Sequence, residues 1–483
     1  MVHAFFMIDR HIVYDSDSGA FFELDEISYD VIRLYIDGKG QRPSVELLND
    51  SVASHKTSIL ELQEICDDFD SIIAEGTLFA APIEYDYHHL YPDQPRIKAM
   101  CLHVCHDCNL RCTYCFAGTG DYGTGHRSML SVETGKAAID FLIAASGNRK
   151  HLDIDFFGGE PLMNWPVVVE LTHYCNENGP KHGKDIRLTI TTNALLLDAE
   201  KTAFINKYMK NCVLSIDGRP EVHNRMRPGI GGKPSYEPIS KRIKAFVERR
   251  RSDESTYYEH YVRATFTRHN LDFSEDVKHM AESLGANQIS VEPVVAPEDC
   301  DYSIHESHLP AIFDEYEKLA RYLHGRRAAG EPVNFFHFNM DMSNGPCVYK
   351  RLKGCGVGAE YCAVTPEGDI YPCHQFVGVE KFLMGNVSSI HSILDENKHL
   401  IEGKDATDIL DQDTLQIFYD RLMPNRESCK TCFARYHCGG GCAANRYFST
   451  ESLDEEYRVG CELAKKRLEC SIWLSAASAD SQI

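Results

Sequence analysis

No uninterrupted apolar run in the 483 residues approaches the length of a membrane-spanning helix. No secretory leader pattern is visible over Met1-Val2-His3-Ala4-Phe5-Phe6, so cytoplasmic residence is expected. Excess positive charge is also missing: 50 Lys and Arg against 72 Asp and Glu give a formal net charge of −22. That average field attracts neither nucleic acid nor an anionic membrane surface, and neither is expected as a partner. Residues 1–92 lack cysteine apart from Cys66. The chain nevertheless holds 19 cysteines, crowded near residue 108 and after residue 346. In a cytosolic chain such crowding indicates thiolate ligation rather than disulfides. The length allows two to four soluble globular domains.

Five cysteines fall within residues 99–116, too close together for a disulfide framework. The spacing Cys-x-x-x-Cys-x-x-Cys fits two overlapping registers, Cys101, Cys105, Cys108 and Cys108, Cys112, Cys115. Met100–Cys105 reads as a buried strand, and alternating side chains on a strand cannot gather three sulfurs onto one cluster. The segment after Asp107 has turn chemistry in Asp107 and Asn109 and can wrap around one. The second register is therefore expected to ligate, leaving one iron of a [4Fe-4S] cluster open. A structural zinc site or an ordinary electron-transfer cluster fits the spacing as well.

Residues 1–92 read as three short strands around Phe5, Val13 and Phe21, then helices over Ile27–Ile36, Val45–Val52 and Ile59–Ile73, the last with Leu60, Leu62, Ile65 and Phe69 as its apolar stripe. This is a winged-helix-like order, with an edge strand able to accept an extended peptide; a packing or dimerisation module fits too. Residues 80–97, with Pro82, Pro92 and Pro95, read as a linker. From residue 98 strands and helices alternate six times: strands at Met100–Val104, Leu152–Phe157, Arg187–Thr191, Cys212–Ile216, Tyr261–Phe266 and Ile289–Val294, with amphipathic helices between. The expected fold is α/β, a partial (β/α)6 barrel over residues 93–340 whose chemistry gathers at the carboxyl ends of the strands. Those ends carry the cysteine loop, then Gly158-Gly159-Glu160-Pro161, Thr192-Asn193 and Ser215-Ile216-Asp217-Gly218. The glycines admit a close ligand, and Glu160 can hold an ammonium group; a sharp corner explains the same residues. Arg263 and Glu292 are inward candidates, readable also as a structural pair. A further domain over residues 341–483 opens after Asn344-Gly345-Pro346. His106, His126, His337 and His374 fit packing or surface roles, and Cys66, Cys175, Cys212, Cys300 and Cys470 fit small apolar positions.

Cys108, Cys112 and Cys115, with Tyr114 before the last, resemble the signature of the radical S-adenosylmethionine (SAM) superfamily. That resemblance implies an open iron that chelates SAM, with Tyr114, Gly158, Gly159, Glu160, Asn193, Ser215 and Arg227 around it. Glu160 inherits the SAM amino group, and Arg227, ahead of Arg225, the carboxylate. Asp217 is placed with the catalytic groups, facing substrate or orienting a neighbour. Cys355-x12-Gly368-x4-Cys373, then Cys429-x2-Cys432-x5-Cys438-x3-Cys442 and Cys461, resemble the SPASM extension of that superfamily. This implies auxiliary cluster I on Cys355, Cys373 and Cys442 and auxiliary cluster II on Cys429, Cys432, Cys438 and Cys461, three [4Fe-4S] clusters in all. Cys362, Cys347 or a substrate thiolate could complete cluster I. The stretches Tyr371-Pro372-Cys373-His374-Gln375-Phe376 and Gly439-Gly440-Gly441-Cys442 are similar to those of the maturases of six-cysteine-in-forty-five (SCIFF) peptides, the ranthipeptide synthases. The implied activity is thioether formation between cysteine sulfur and a β or γ carbon in a cysteine-rich precursor peptide. Its leader would bind residues 1–92, and a flavodoxin or ferredoxin would supply low-potential electrons. Formylglycine formation on sulfatases is the enzymatic rival, and a non-catalytic iron–sulfur electron-transfer protein the other.

Overall fold

The computed structural model describes residues 1–82, 96–252, 259–342 and 352–479. Most of the expected linker, and Cys347, lie outside the described residues. Three antiparallel strands open the chain, β1 (Val2–Met7), β2 (Arg10–Asp15) and β3 (Phe21–Leu24), in the order β1-β2-β3. Three helices cover them, α1 (Glu26–Asp37), α2 (Val45–His55) and α3 (Ile59–Ala74). Asp25 caps α1 by accepting from Ser28 N at 2.7 Å, and Ser58 caps α3 through Glu61 N at 3.2 Å. The buried stripe of α3 is Leu62, Cys66 and Phe69, with Ile65 beside it. Leu60 does not belong to it and is 67% exposed. Spacings of four and three residues share a helix face, whereas Leu60 and Leu62, two apart, do not.

The six expected strands are present as β4 (Ala99–Cys105), β5 (His151–Gly158), β6 (Asp185–Thr192), β7 (Asn211–Ser215), β8 (Glu259–Phe266) and β9 (Gln288–Pro293), each parallel to the next. The connecting helices are α4 (Val132–Ala145), α5 (Trp165–Lys181), α6 (Ala199–Tyr208), α7 (Pro220–Met226), α8 (Tyr236–Ser252), α9 (Phe273–Ser283) and α10 (Leu309–Ala328). Leu152, Ile154 and Phe156 of β5 are fully buried, while Asp153, Asp155 and Phe157 alternate onto the other face. That second face is the inner one, because residues from β5 to β9 line a single cavity. Among the described residues no helix is long and apolar enough to cross a membrane.

The sheet extends beyond the six-strand expectation. A two-residue strand β10 (Asn334–Phe335) joins β9 in parallel. At the other edge β11 (Tyr361–Val364) runs parallel to β4, followed by antiparallel β12 (Asp369–Tyr371) and β13 (Gly385–Asn386). The cysteine-rich segment therefore continues the same ten-stranded sheet instead of forming a sheet of its own. Its long helix Arg458–Ala479 packs on α10 and on β1. His3 stacks on Phe433 with ring centroids 3.7 Å apart, Trp473 Nε1 donates to Asp9 at 3.0 Å, and Arg435 pairs with Asp17.

Both partners of that last pair are buried. Asp17→Ala leaves the guanidinium without its carboxylate and is expected to cost about 3–5 kcal/mol in chemical denaturation. Arg33→Ala, which removes an exposed pair with Asp30, should leave the midpoint in place.

Candidate active site

Strand β4 ends at Cys105, and the loop that follows is clamped from two sides. Gly159 N donates to Cys105 O at 2.7 Å and Glu160 N to Asp107 O at 2.9 Å. A Cβ on Gly158 would stand 2.2 Å from the Cys105 carbonyl oxygen, and one on Gly159 2.1 Å from that of Asp107. The paired glycines thus let the β5 turn meet the start of the cysteine loop backbone to backbone. On the other side Arg111 N donates to Pro228 O at 2.7 Å and Thr113 N to Met226 O at 2.8 Å.

Held this way, Cys108, Cys112 and Cys115 line a cavity of about 200 Å³ with Leu110, Tyr114, Gly158, Gly159, Asn193, Ser215 and Arg227. Cys101 and Cys105 remain buried on β4. Leu110 N lies 3.4 Å and Asn193 Nδ2 3.7 Å from Cys108 Sγ. Burial pushes the Cys108 thiol up to about 12 and Cys112 up to about 11, so as free thiols both are protonated and metal binding must release protons. Among the described residues no three His, Cys, Asp or Glu side chains converge as a single-ion site. Soft thiolate donors suit iron–sulfur ligation, and the adjoining hydroxyl, amide and guanidinium groups suit a polar, zwitterionic cofactor.

Two expected site residues stand behind the lining. Glu160 is fully buried and accepts from Thr192 Oγ1 at 2.7 Å, Asn193 N at 2.8 Å and Leu162 N at 3.0 Å. Burial raises its carboxyl above the usual range, against these hydrogen bonds. Its carboxylate fastens the end of β6 to the glycine turn. Asp217, placed by sequence with the catalytic groups, is also fully buried and reaches no cavity surface. It accepts from Tyr114 OH at 2.5 Å, Thr265 N at 3.1 Å and Arg227 NH1 at 3.4 Å, and Arg227 NH1 donates to Tyr114 OH at 2.9 Å. Asp217 is therefore a positioning residue that fixes the aromatic ring and the arginine. Arg225 is exposed on α7, away from the cavity.

The inner strand faces supply Thr191 and Asp155, which sequence reading passed over, and settle the surroundings of Arg263, Glu292, His337 and His374, which it had named. Thr191 Oγ1 donates to Asp155 at 2.9 Å, and burial pushes Asp155 up to about 7 against that bond and the charge of Arg263. His374 lines the cavity 2.8 Å from Tyr361 OH, and burial with Arg263 pushes it down to about 3. The Arg263–Glu292 pair is not formed. Glu292 lies 3.2 Å from His337 Nε2. Burial alone would raise Glu292, yet it is held well below the usual range. His337 is the main cause, followed by the charges of Arg263 and Arg467. The Arg263 side chain projects into the cavity with no hydrogen bond or ion pair among the described residues. Alternation of Leu152-Asp153-Ile154-Asp155-Phe156 was the available signal for the polar inner face.

Seven of the remaining cysteines lie near one another in two sets. Cys373 lies within electrostatic reach of Cys442 and Cys355, and Cys461 within reach of Cys438, Cys429 and Cys432. A second cavity of about 510 Å³, lined by Cys438, Cys442 and Cys461, shares Glu292 and Pro293 with the first. Cys362 does not close the first group. Strand alternation sends it into the main core with Val364, while Ala363 faces the cluster of side chains that holds Cys373. His106 lies buried 3.0 Å from His103, and His126 is exposed.

Comparison with known proteins agrees with this geometry. Residues 102–271 match the family model of the radical SAM superfamily. The chain is 22% identical to the radical SAM cyclopropyl synthase TigE of Paramaledivibacter caminithermalis, over 72% of this chain and 68% of that protein. It is 23% identical to the cysteine-type anaerobic sulfatase-maturating enzyme of Clostridium perfringens, over 75% of this chain and 92% of that protein. The fold matches that of Streptococcus suis SuiB bound to S-adenosylmethionine with a TM-score of 0.53 and 16% identity, covering 94% of this chain and 96% of that one.

Gly159→Ala must displace the Asp107 carbonyl, so iron bound per chain is expected to fall after anaerobic reconstitution while the far-UV spectrum stays native. Asp155 supplies a pH test. A carboxyl raised in the folded state contributes its full stability below its unfolded value near 3.8 and loses it as pH rises through about 7. Unfolding free energy should therefore fall from pH 4.5 to pH 8 by about 3 kcal/mol more than in Asp155→Asn.

Proposed function

We propose that this radical SAM chain is a maturase that closes thioether bonds between cysteine sulfur and a β or γ carbon of a ribosomally made, cysteine-rich peptide. The observation that carries this reading is the Glu292–Pro293 wall shared by the two cysteine-lined cavities. A peptide held there has a carbon facing Cys108, Cys112 and Cys115, and a sulfur within reach of the second thiol array. Cys108, Cys112 and Cys115 would hold one cluster, Cys355, Cys373 and Cys442 a second, and Cys429, Cys432, Cys438 and Cys461 a third. Asn193, Ser215 and Arg227 would orient SAM, with Arg227 kept in place by Asp217. Bound there, the iron–sulfur and SAM groups would supply hydrogen-atom abstraction and accept the remaining electron.

The protein's own contribution is placement. The cavity keeps water from the reacting carbon and holds it against the sulfur, and Arg263 offers an unpaired cation to a peptide oxygen. One C–H and one S–H bond break as the C–S bond forms, with a net loss of two hydrogens. The three-stranded sheet is read as a winged-helix-like leader site. The C-terminal segment packs against β1 and leaves the β3 edge for strand addition. Residues 341–483 are read as a SPASM domain, and the protein as cytoplasmic. A second reading, formylglycine formation, is equally supported by the sulfatase-maturating relative.

High-resolution mass of a cysteine-rich peptide encoded beside the gene, incubated anaerobically with reconstituted protein, SAM and a low-potential reductant, separates the two readings. Loss of about two hydrogens per linked cysteine, with sulfur retained, is the expected result for a C–S closure. Replacement of sulfur by oxygen in a sulfatase-type peptide would favour the second.

A further inference from the structure

Resting on the reading of Cys108, Cys112 and Cys115 as iron–sulfur ligands, we infer that an acidic one-electron carrier protein docks on the rim formed by residues 109–113 and 225–233. These two stretches are zipped by the Leu110–Gly229 bridge and by the hydrogen bonds from Arg111 N and Thr113 N. They contain Arg111, Arg225 and Lys233, with Arg227 turned inward onto Asp217, and no Asp or Glu, in a chain of net charge −22. Arg111 NH1 lies on the cysteine loop itself, donating to Cys108 O at 2.6 Å and Leu110 O at 2.7 Å. Arg225 and Lys233 are exposed, with no side-chain partner among the described residues. Between them Ile230 is 57% exposed, an apolar contact inside a cationic ring, which is how steered interfaces combine rate with hold.

Charge also selects this face against its alternatives. Around Cys429 and Cys461 the exposed charges are Glu427, Glu451, Asp454, Glu455 and Glu456 against Lys430 and Arg458. Glu221 and Glu237 mark where the cationic rim ends. An acidic carrier is thus drawn to the rim whose backbone grips the cysteine loop on either side of Cys112. On docking, the carrier is oxidised by one electron and the iron centre on Cys108, Cys112 and Cys115 is reduced by one.

The test uses flavodoxin as the probe and the reconstituted full chain. Binding is measured by surface plasmon resonance at two salt concentrations, for the native chain, for Arg225→Glu/Lys233→Glu, and for Arg249→Glu at the far end of α8. The double variant is expected to bind at least about tenfold more weakly at low salt and to show a shallower salt dependence, with Arg249→Glu unchanged. Flavodoxin-driven deoxyadenosine release should fall with it, while dithionite-driven release stays native. Unchanged flavodoxin binding in the double variant, or an equal loss in Arg249→Glu, would overturn the docking assignment. Absence of dithionite-driven release from the native chain would instead overturn the reading of the cysteine site, which the binding data alone do not address.

Discussion

The contact on which the site depends is backbone to backbone. Gly158 and Gly159 bring the turn after β5 against the carbonyls of Cys105 and Asp107 at distances no side chain permits. The cysteine loop consequently starts from a fixed point, and the direction of Cys108 is set by main-chain hydrogen bonds before any metal arrives. Glu160 extends the constraint. It is buried because its oxygens are occupied by β6, so the turn, the loop and the next strand end form one unit. Preorganisation of this sort matters for thiol ligands whose deprotonation burial opposes.

The second constraint is the triad of Tyr114, Asp217 and Arg227. A buried carboxylate with a guanidinium and a phenol satisfies its own desolvation and fixes the two groups that do reach the cavity. Met226 and Pro228, on either side of Arg227, are the residues whose carbonyls hold the cysteine loop. One short segment therefore both grips the loop and presents a cation to its open side.

Much of this was legible in sequence, for identifiable reasons. Thiolate spacing, strand period and the Gly-Gly-Glu-Pro turn are local signals, and they located the cysteine loop, the six strands and the glycine clamp. Arg227 was separable from Arg225 only weakly by sequence; Arg225 faces solvent from the last turn of α7, whereas Arg227 follows the helix as its non-helical C-cap and turns inward onto Asp217. Asp217 looked catalytic because it ends a strand beside the site, but an Asp in a turn is read the same way whether its oxygens face substrate or neighbours. Leu60 was misassigned by counting apolar residues instead of angles. The continuation of the barrel sheet into β11, β12 and β13, the burial of Cys362 away from Cys373, and the unpaired state of Arg263 are long-range outcomes that no window of sequence contains.

The central claim is that Cys108, Cys112 and Cys115 hold a cluster with an iron open to SAM. Electron paramagnetic resonance of the reduced, reconstituted protein, with and without SAM, tests it most directly when set beside the Cys108→Ala/Cys112→Ala/Cys115→Ala variant. SAM is predicted to shift one component of the native spectrum, and the variant is predicted to lose that component while keeping signals from the other cysteine groups. A native spectrum indifferent to SAM, or a SAM-responsive component that survives in the variant, would contradict the account.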